Sequence, residues 1–293
     1  MKPKALVLQA HGTNRDLDVM DALTLAGADA VGIPLNELHA RNTLFRDFQL
    51  LVLPGGFSYA DALGAGKLLA VDLLTYFADE IAAFIDSGKP VIGICNGFQA
   101  LVRSGILPGS PVIARSGEAA TKHPHVRGDK SVHPEIASLA KERLARNDIT
   151  GATLTFNEQG HFECRWVTIK PISRTCIWTK DLGENIACPI AHGEGNFQTT
   201  EIFPLASFVG NDQIALAYIH VDGSPANGDY PTNPNGSILD IAGICNPQGN
   251  VLGLMPHPEN HIYTWQHPRH TRGERSGSGL ALFENGVKYA NAL

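Results

Sequence analysis

The side chain best placed for chemistry is Cys95. It lies in Pro90-Val91-Ile92-Gly93-Ile94-Cys95-Asn96-Gly97-Phe98-Gln99, where a short apolar run meets a helical pattern through Gly-x-Cys-x-Gly. Flanking glycines permit a tight turn that presents a side chain at the carboxyl end of a strand. A helix opening directly after the sulfur turns unpaired N–H groups and a positive dipole end toward it, which favours thiolate over thiol. A buried structural cysteine would account for the same local pattern. The rest of the chain has to supply the partners that decide between the two.

A nucleophilic thiol needs a base, an orienter for that base and donors for an oxyanion. Pro256-His257-Pro258-Glu259 offers the first two. The bracketing prolines predict an extended segment in which His257 and Glu259 project to one side, so that the carboxylate fixes the imidazole tautomer. Pro54-Gly55-Gly56-Phe57 follows an apolar run, and two glycines at a strand end can aim N–H groups outward; an ordinary turn is the plain alternative. His192-Gly193-Glu194-Gly195 reads as a turn that could line a substrate. The combined chemistry is acyl transfer through a thioester.

The elements that must position these groups alternate. Strands are expected at 5–10, 29–34, 48–53 and 90–94, with helices at 15–26, opened by a Thr13/Asp16 capping box, and at 67–87 as one long stretch. That pattern predicts an α/β fold with a doubly wound, mostly parallel sheet and its ligands at the carboxyl ends of the strands. Residues 152–218 read as an added β-rich segment, and Ile241–Cys245 with Val251–Met255 as a hairpin across Asn246-Pro247-Gln248-Gly249-Asn250. A short helix is expected at 134–146, a mobile surface loop at 266–279 and a closing helix from 279 to 290. His123, His125 and His133 lack a carboxylate or cysteine partner set, so no metal is expected. Gly12 stands without the rest of a dinucleotide-binding fingerprint.

With 293 residues, 43% of them hydrophobic and 18% charged, the chain can bury a core unaided. A net charge of −6 argues against nucleic acid or anionic membrane as a partner. Five cysteines without a Cys-x-x-Cys pair favour neither a disulfide framework nor zinc and suit a reducing cytoplasm. No run approaches the ~20 apolar residues of a membrane span.

The order Gly-Gly turn, Gly93-Ile94-Cys95-Asn96-Gly97-Phe98-Gln99, then His257-Pro258-Glu259 resembles class I glutamine amidotransferases, which have a flavodoxin-like sheet. Longer stretches, Pro54-Gly55-Gly56-Phe57-Ser58-Tyr59, Ala191-His192-Gly193-Glu194-Gly195 and residues 234–259, are similar to the PurQ-type glutaminases of phosphoribosylformylglycinamidine synthase. The resemblance implies one amidotransferase domain over 1–293, with extra length near 110–150 and 266–279. It implies Cys95 as nucleophile, His257 as base and Glu259 as its orienter. Gly56 and Asn96 become backbone donors to the oxyanion, and Gln99, His192, Gly193 and Glu194 become substrate contacts. The implied activity is hydrolysis of L-glutamine, with ammonia passed to a PurL-type synthetase, with or without a small PurS-type bridging subunit. ATP and Mg are expected on that partner and no cofactor on this chain. Residues 61–66 and Asn260 depart from the short-subunit pattern. The competing expectations are an inactive binding module of the same fold and a related Cys-elbow hydrolase.

Overall fold

The computed structural model describes residues 2–109, 151–199, 204–274 and 277–293. The expected helix at 134–146, His123, His125 and His133 lie outside them. The first four strands are β1 (Lys4–Gln9), β2 (Asp29–Pro34), β3 (Leu50–Leu53) and β4 (Val91–Ile94), with β2 at the sheet edge. All four residues of β3 and of β4 are buried, as expected of parallel strands covered on both faces. They pair in parallel, in the order β2-β1-β3-β4.

The remaining strands are β5 (Ala152–Thr155), β6 (Glu163–Pro171), β7 (Ile186–His192), β8 (Asn196–Thr199), β9 (Ile214–Ile219), β10 (Ile241–Cys245) and β11 (Val251–Leu254). β11 pairs in parallel with β4, and the hairpin partner β10 then turns the sheet antiparallel. The complete order is β2-β1-β3-β4-β11-β10-β9-β6-β7, nine strands of which β2 through β11 are parallel, beside a separate β5-β8 ribbon. Most of the β-rich segment therefore extends the main sheet.

Helices α1 (Asp16–Leu25), α2 (Leu35–Ala40), α3 (Lys67–Tyr76), α4 (Ala78–Asp86), α5 (Asn96–Arg103), α6 (Leu205–Gly210) and α7 (Leu280–Ala292) surround the sheet. Burial of Val19, Ala22 and Leu23 fixes the inner face of α1, and that of Leu282, Phe283 and Val287 the inner face of α7.

Several expectations are corrected. The long helix at 67–87 is two, because Phe77 leaves helical geometry (φ −133°, ψ 11°) and buries its ring 5.8 Å from that of Phe45. The capping box does not form: Thr13 pairs with Gly56, and the Asp16 carboxylate accepts from Gln9 Nε2 at 2.6 Å. The turn expected around His192 is in part strand β7, the sheet edge, where Pro189 is tolerated. Residues 266–274 do not form a loose loop. His267 is buried with its ring 4.6 Å from that of Trp166, and Arg269 pairs with Glu274 at 3.4 Å. Gly277 bridges Ile186, while residues 275 and 276 lie outside the described set.

Candidate active site

Three neighbouring parallel strands, β3, β4 and β11, release their chains at the same edge of the sheet. β3 leads into Gly55-Gly56, β4 into Cys95 and β11 into His257. Strand order thus unites residues that are far apart in sequence.

Cys95 caps α5 with φ 49° and ψ −106°, a strained conformation for a side chain with a Cβ. The elbow's glycines serve a different purpose from the one expected. Neither Gly93 nor Gly97 has positive φ; a Cβ on Gly97 would overlap the Leu53 carbonyl, and one on Gly93 would crowd Gly97. They let α5 lie against β3 and β4, while the cysteine itself carries the strain. Strand pairing holds that geometry, with Cys95 N–H donating to Leu254 O at 2.8 Å. Cys95 is only 5% exposed, so the side chain presented at the strand end faces a recessed, partly open cavity. Its Sγ lies 3.7 Å from Ala191 O on β7.

His257 and Glu259 meet at 2.7 Å, Nδ1 to Oε1. The contact does not come from an extended segment: Pro258 opens a 3-10 turn (Pro258–Asn260) that folds the carboxylate back under the ring. His257 N–H donates to Pro189 O at 2.8 Å, anchoring the turn to β7. With Nδ1 engaged, Nε2 remains for the thiol. Burial opposes an imidazolium here, but the Glu259 charge, the Cys95 charge and hydrogen bonds to both outweigh it and raise His257 to about 10. Gly55 was expected as one of two turn glycines aiming N–H groups outward; the structure adds a packing reason, since a Cβ there would stand 2.7 Å from His257 Cε1 and 3.4 Å from Cys95 Cβ.

Gly56 borders the cavity with φ 122° and bridges Thr13. Asn96 is the first residue of α5, where a backbone N–H has no intrahelical acceptor. Its side chain is fully engaged as well. Oδ1 accepts from the Ser58 hydroxyl and from Ser58 N–H (3.3 Å), and Nδ2 donates to Asp61 (2.8 Å) and Gln99 (3.1 Å). Asn96 thereby ties the Ser58–Asp61 turn to α5. Gln99 lines the cavity, but its amide also donates to Glu194 O at 2.6 Å. The Glu194 carboxylate pairs with Arg103 at 2.8 Å and accepts from Ala65 N–H at 3.3 Å.

The cavity measures about 170 Å³ and is lined by Cys95, Gly56, Gln99, His192, Gly193 and Glu194, together with Asp61 and the half-exposed rings of Phe57 and Phe162. A larger hollow of about 520 Å³ lies at the ends of β1 and β2 beside His11, His39 and Asp72, but it holds no nucleophile. The smaller cavity is the candidate site on chemical grounds. Asp61, Arg103 and Asn157 are additions to the expected residues, and no local motif marks them. Among the described residues no cluster of His, Cys, Asp and Glu could hold a metal, and no helix is long and apolar enough to cross a membrane.

The model of the CobB/CobQ-like glutamine amidotransferase domain matches residues 2–131 and 136–290. The chain is 51% identical over 292 residues to phosphoribosylformylglycinamidine synthase subunit PurQ of Treponema denticola, covering 99% of each. It is 36% identical to the PurQ subunit of Dehalococcoides mccartyi, covering 100% of this chain and 99% of that one. Among solved structures it is similar to a chain of PurLQS from Thermotoga maritima, with a TM-score of 0.64, 28% identity and 99% coverage of both.

Proposed function

Since the chain belongs to the PurQ family, the glutamine amidotransferase subunits of phosphoribosylformylglycinamidine synthase, an enzyme of purine biosynthesis, we propose that Cys95, His257 and Glu259 hydrolyse L-glutamine. His257, held as an imidazolium by Glu259, keeps the proton on Nε2, and the Cys95 sulfur attacks the γ-carboxamide carbon as thiolate. The resulting oxyanion is held by the backbone N–H of Asn96 at the start of α5 and by that of Gly56. Collapse of this intermediate breaks the C–N bond; His257 gives its proton to the leaving nitrogen, and ammonia departs from a glutamyl thioester. Water, deprotonated by the same imidazole, then releases glutamate. Glu259 holds the tautomer and stabilises the imidazolium throughout.

The observation that carries this reading is the convergence of β3, β4 and β11 on Cys95, with the His257–Glu259 contact of 2.7 Å behind it. Ammonia passes to a PurL-type synthetase, a partner supported by the likeness to PurLQS. That synthetase uses ATP to convert formylglycinamide ribonucleotide to the amidine, and a PurS-type subunit bridges the two. The chain acts as one amidotransferase domain, a reading supported by the unbroken sheet from β2 to β7. The test is co-purification with the synthetase and measurement of glutamine-dependent amidine formation in the presence of ATP. A complex that uses free ammonia but not glutamine would contradict the proposal.

A further inference from the structure

The cavity beside Cys95 is walled by hydrogen-bond acceptors. His192 is 3% exposed, and its tautomer follows from the bonds around Asn157. Asn157 Nδ2 donates to the carbonyls of His161 (3.0 Å) and His192 (2.8 Å), so its Oδ1 must accept. It accepts from Gly195 N–H at 3.0 Å and from His192 Nδ1 at 3.1 Å. The ring proton is therefore on Nδ1, and Nε2 is a lone-pair acceptor. Burial first, and then the charge of His257, push His192 down to about 3, so the ring stays neutral. Its Nε2 is buried with no hydrogen-bond partner among the described residues.

Asp61 supplies the second acceptor. It sits in left-handed backbone (φ 52°) within a turn where Tyr59, Ala60 and Leu63 also have positive φ, strain of the kind held at functional sites. Its carboxylate accepts from Asn96 Nδ2 and from the Gly66 backbone. Arg103, the nearby cation, donates instead to Glu194 Oε2 and to Ala65 O, each at 2.8 Å. Among the described residues no cation forms an ion pair with the partly buried Asp61 carboxylate, although the Arg103 charge acts on it from a distance.

We propose that the Asp61 carboxylate binds the α-ammonium group of glutamine, so that this wall selects L-glutamine over γ-carboxamides lacking an α-amino group. The inference rests on glutamine being the substrate. Its test compares glutamine with glutaramate, the same carboxamide without the amine, on the complex of this chain with its synthetase. In Asp61→Asn, KM for glutamine should rise about 10- to 100-fold with little change in kcat, the loss expected for one charge-assisted hydrogen bond. Turnover of glutaramate should stay near the wild-type value. Alkylation of Cys95 by iodoacetamide, which carries no ammonium, should keep its rate and reports an intact site. An equal loss for both amides with unchanged alkylation would overturn the inference. Where Asp61→Asn disturbs the fold, Asp61→Glu keeps the charge and must keep the preference for glutamine; loss of that preference also overturns it. A wild-type complex that hydrolyses no glutamine would instead defeat the functional reading beneath it.

Discussion

The parallel and antiparallel halves of the sheet each deliver one buried histidine to the site, in opposite protonation states. His257 follows the parallel strand β11 and meets a carboxylate, which holds it up to about 10. His192 ends the antiparallel edge strand β7 and meets a neutral amide, and burial drives it down to about 3. Burial disfavours charge at both positions, so the partner decides the outcome: Glu259 offers a negative charge and Asn157 does not. The parallel half therefore carries the group that moves protons, and the antiparallel half carries a fixed acceptor.

Perturbing each half should expose that division. Removal of the nucleophile by Cys95→Ala has the largest expected effect, abolishing glutamine hydrolysis while ammonia-dependent synthesis by the complex persists. Glu259→Gln leaves the packing but removes the charge that holds His257 protonated; glutaminase kcat should fall by about 10³- to 10⁴-fold. Gly55→Ala drives a methyl toward His257 Cε1. Displacing the base in this way should cost about 10²-fold in kcat in a chain that still folds. Gly97→Ala acts on the scaffold, since its Cβ overlaps the Leu53 carbonyl, and a denaturant midpoint should report destabilisation of about 1–3 kcal/mol.

The smallest effects lie in the pH dependence of stability. His257, raised from 6.5 to about 10, contributes stability that is complete below its unfolded value and is lost as pH climbs through about 10. His192, lowered from 6.5 to about 3, works in the other direction: its unfolded form takes the proton first, and stability falls as pH drops below 6.5 toward about 3. Replacing His257 by Gln should flatten the alkaline limb of a stability–pH profile, and replacing His192 by Gln the acid limb. A single limb responding to both substitutions would erase the contrast between the halves.

The features legible in the sequence were those with local signatures. Short apolar runs ended by Gly and Pro marked β1 to β4, and an Asn-Pro-Gln-Gly-Asn turn marked the β10–β11 hairpin. Cys95, His257 and Glu259 stood out for the same reason. Packing was less legible than pattern. Gly93 and Gly97 looked like hinge residues, whereas they make room between α5 and its neighbouring strands. Strand β7 was masked because Pro189 and the following Gly-Glu-Gly look like turn residues, although an edge strand accepts proline. Asn157 and Arg103 gave no signal, since Asn157 reaches His192 across 35 positions and Arg103 reaches Glu194 across 91, and Asp61 stood out only within a stretch that departs from the short-subunit pattern.

The central claim is that Cys95 carries the glutamyl group. The direct measurement is acid quenching of the synthetase complex during turnover of isotope-labelled glutamine, followed by proteolysis and mass spectrometry of the peptide containing Cys95. A hydroxylamine-labile glutamyl adduct on that residue, absent from Cys95→Ala, is the predicted result. Continued glutamine turnover by Cys95→Ala, or labelling confined to another residue, would contradict it.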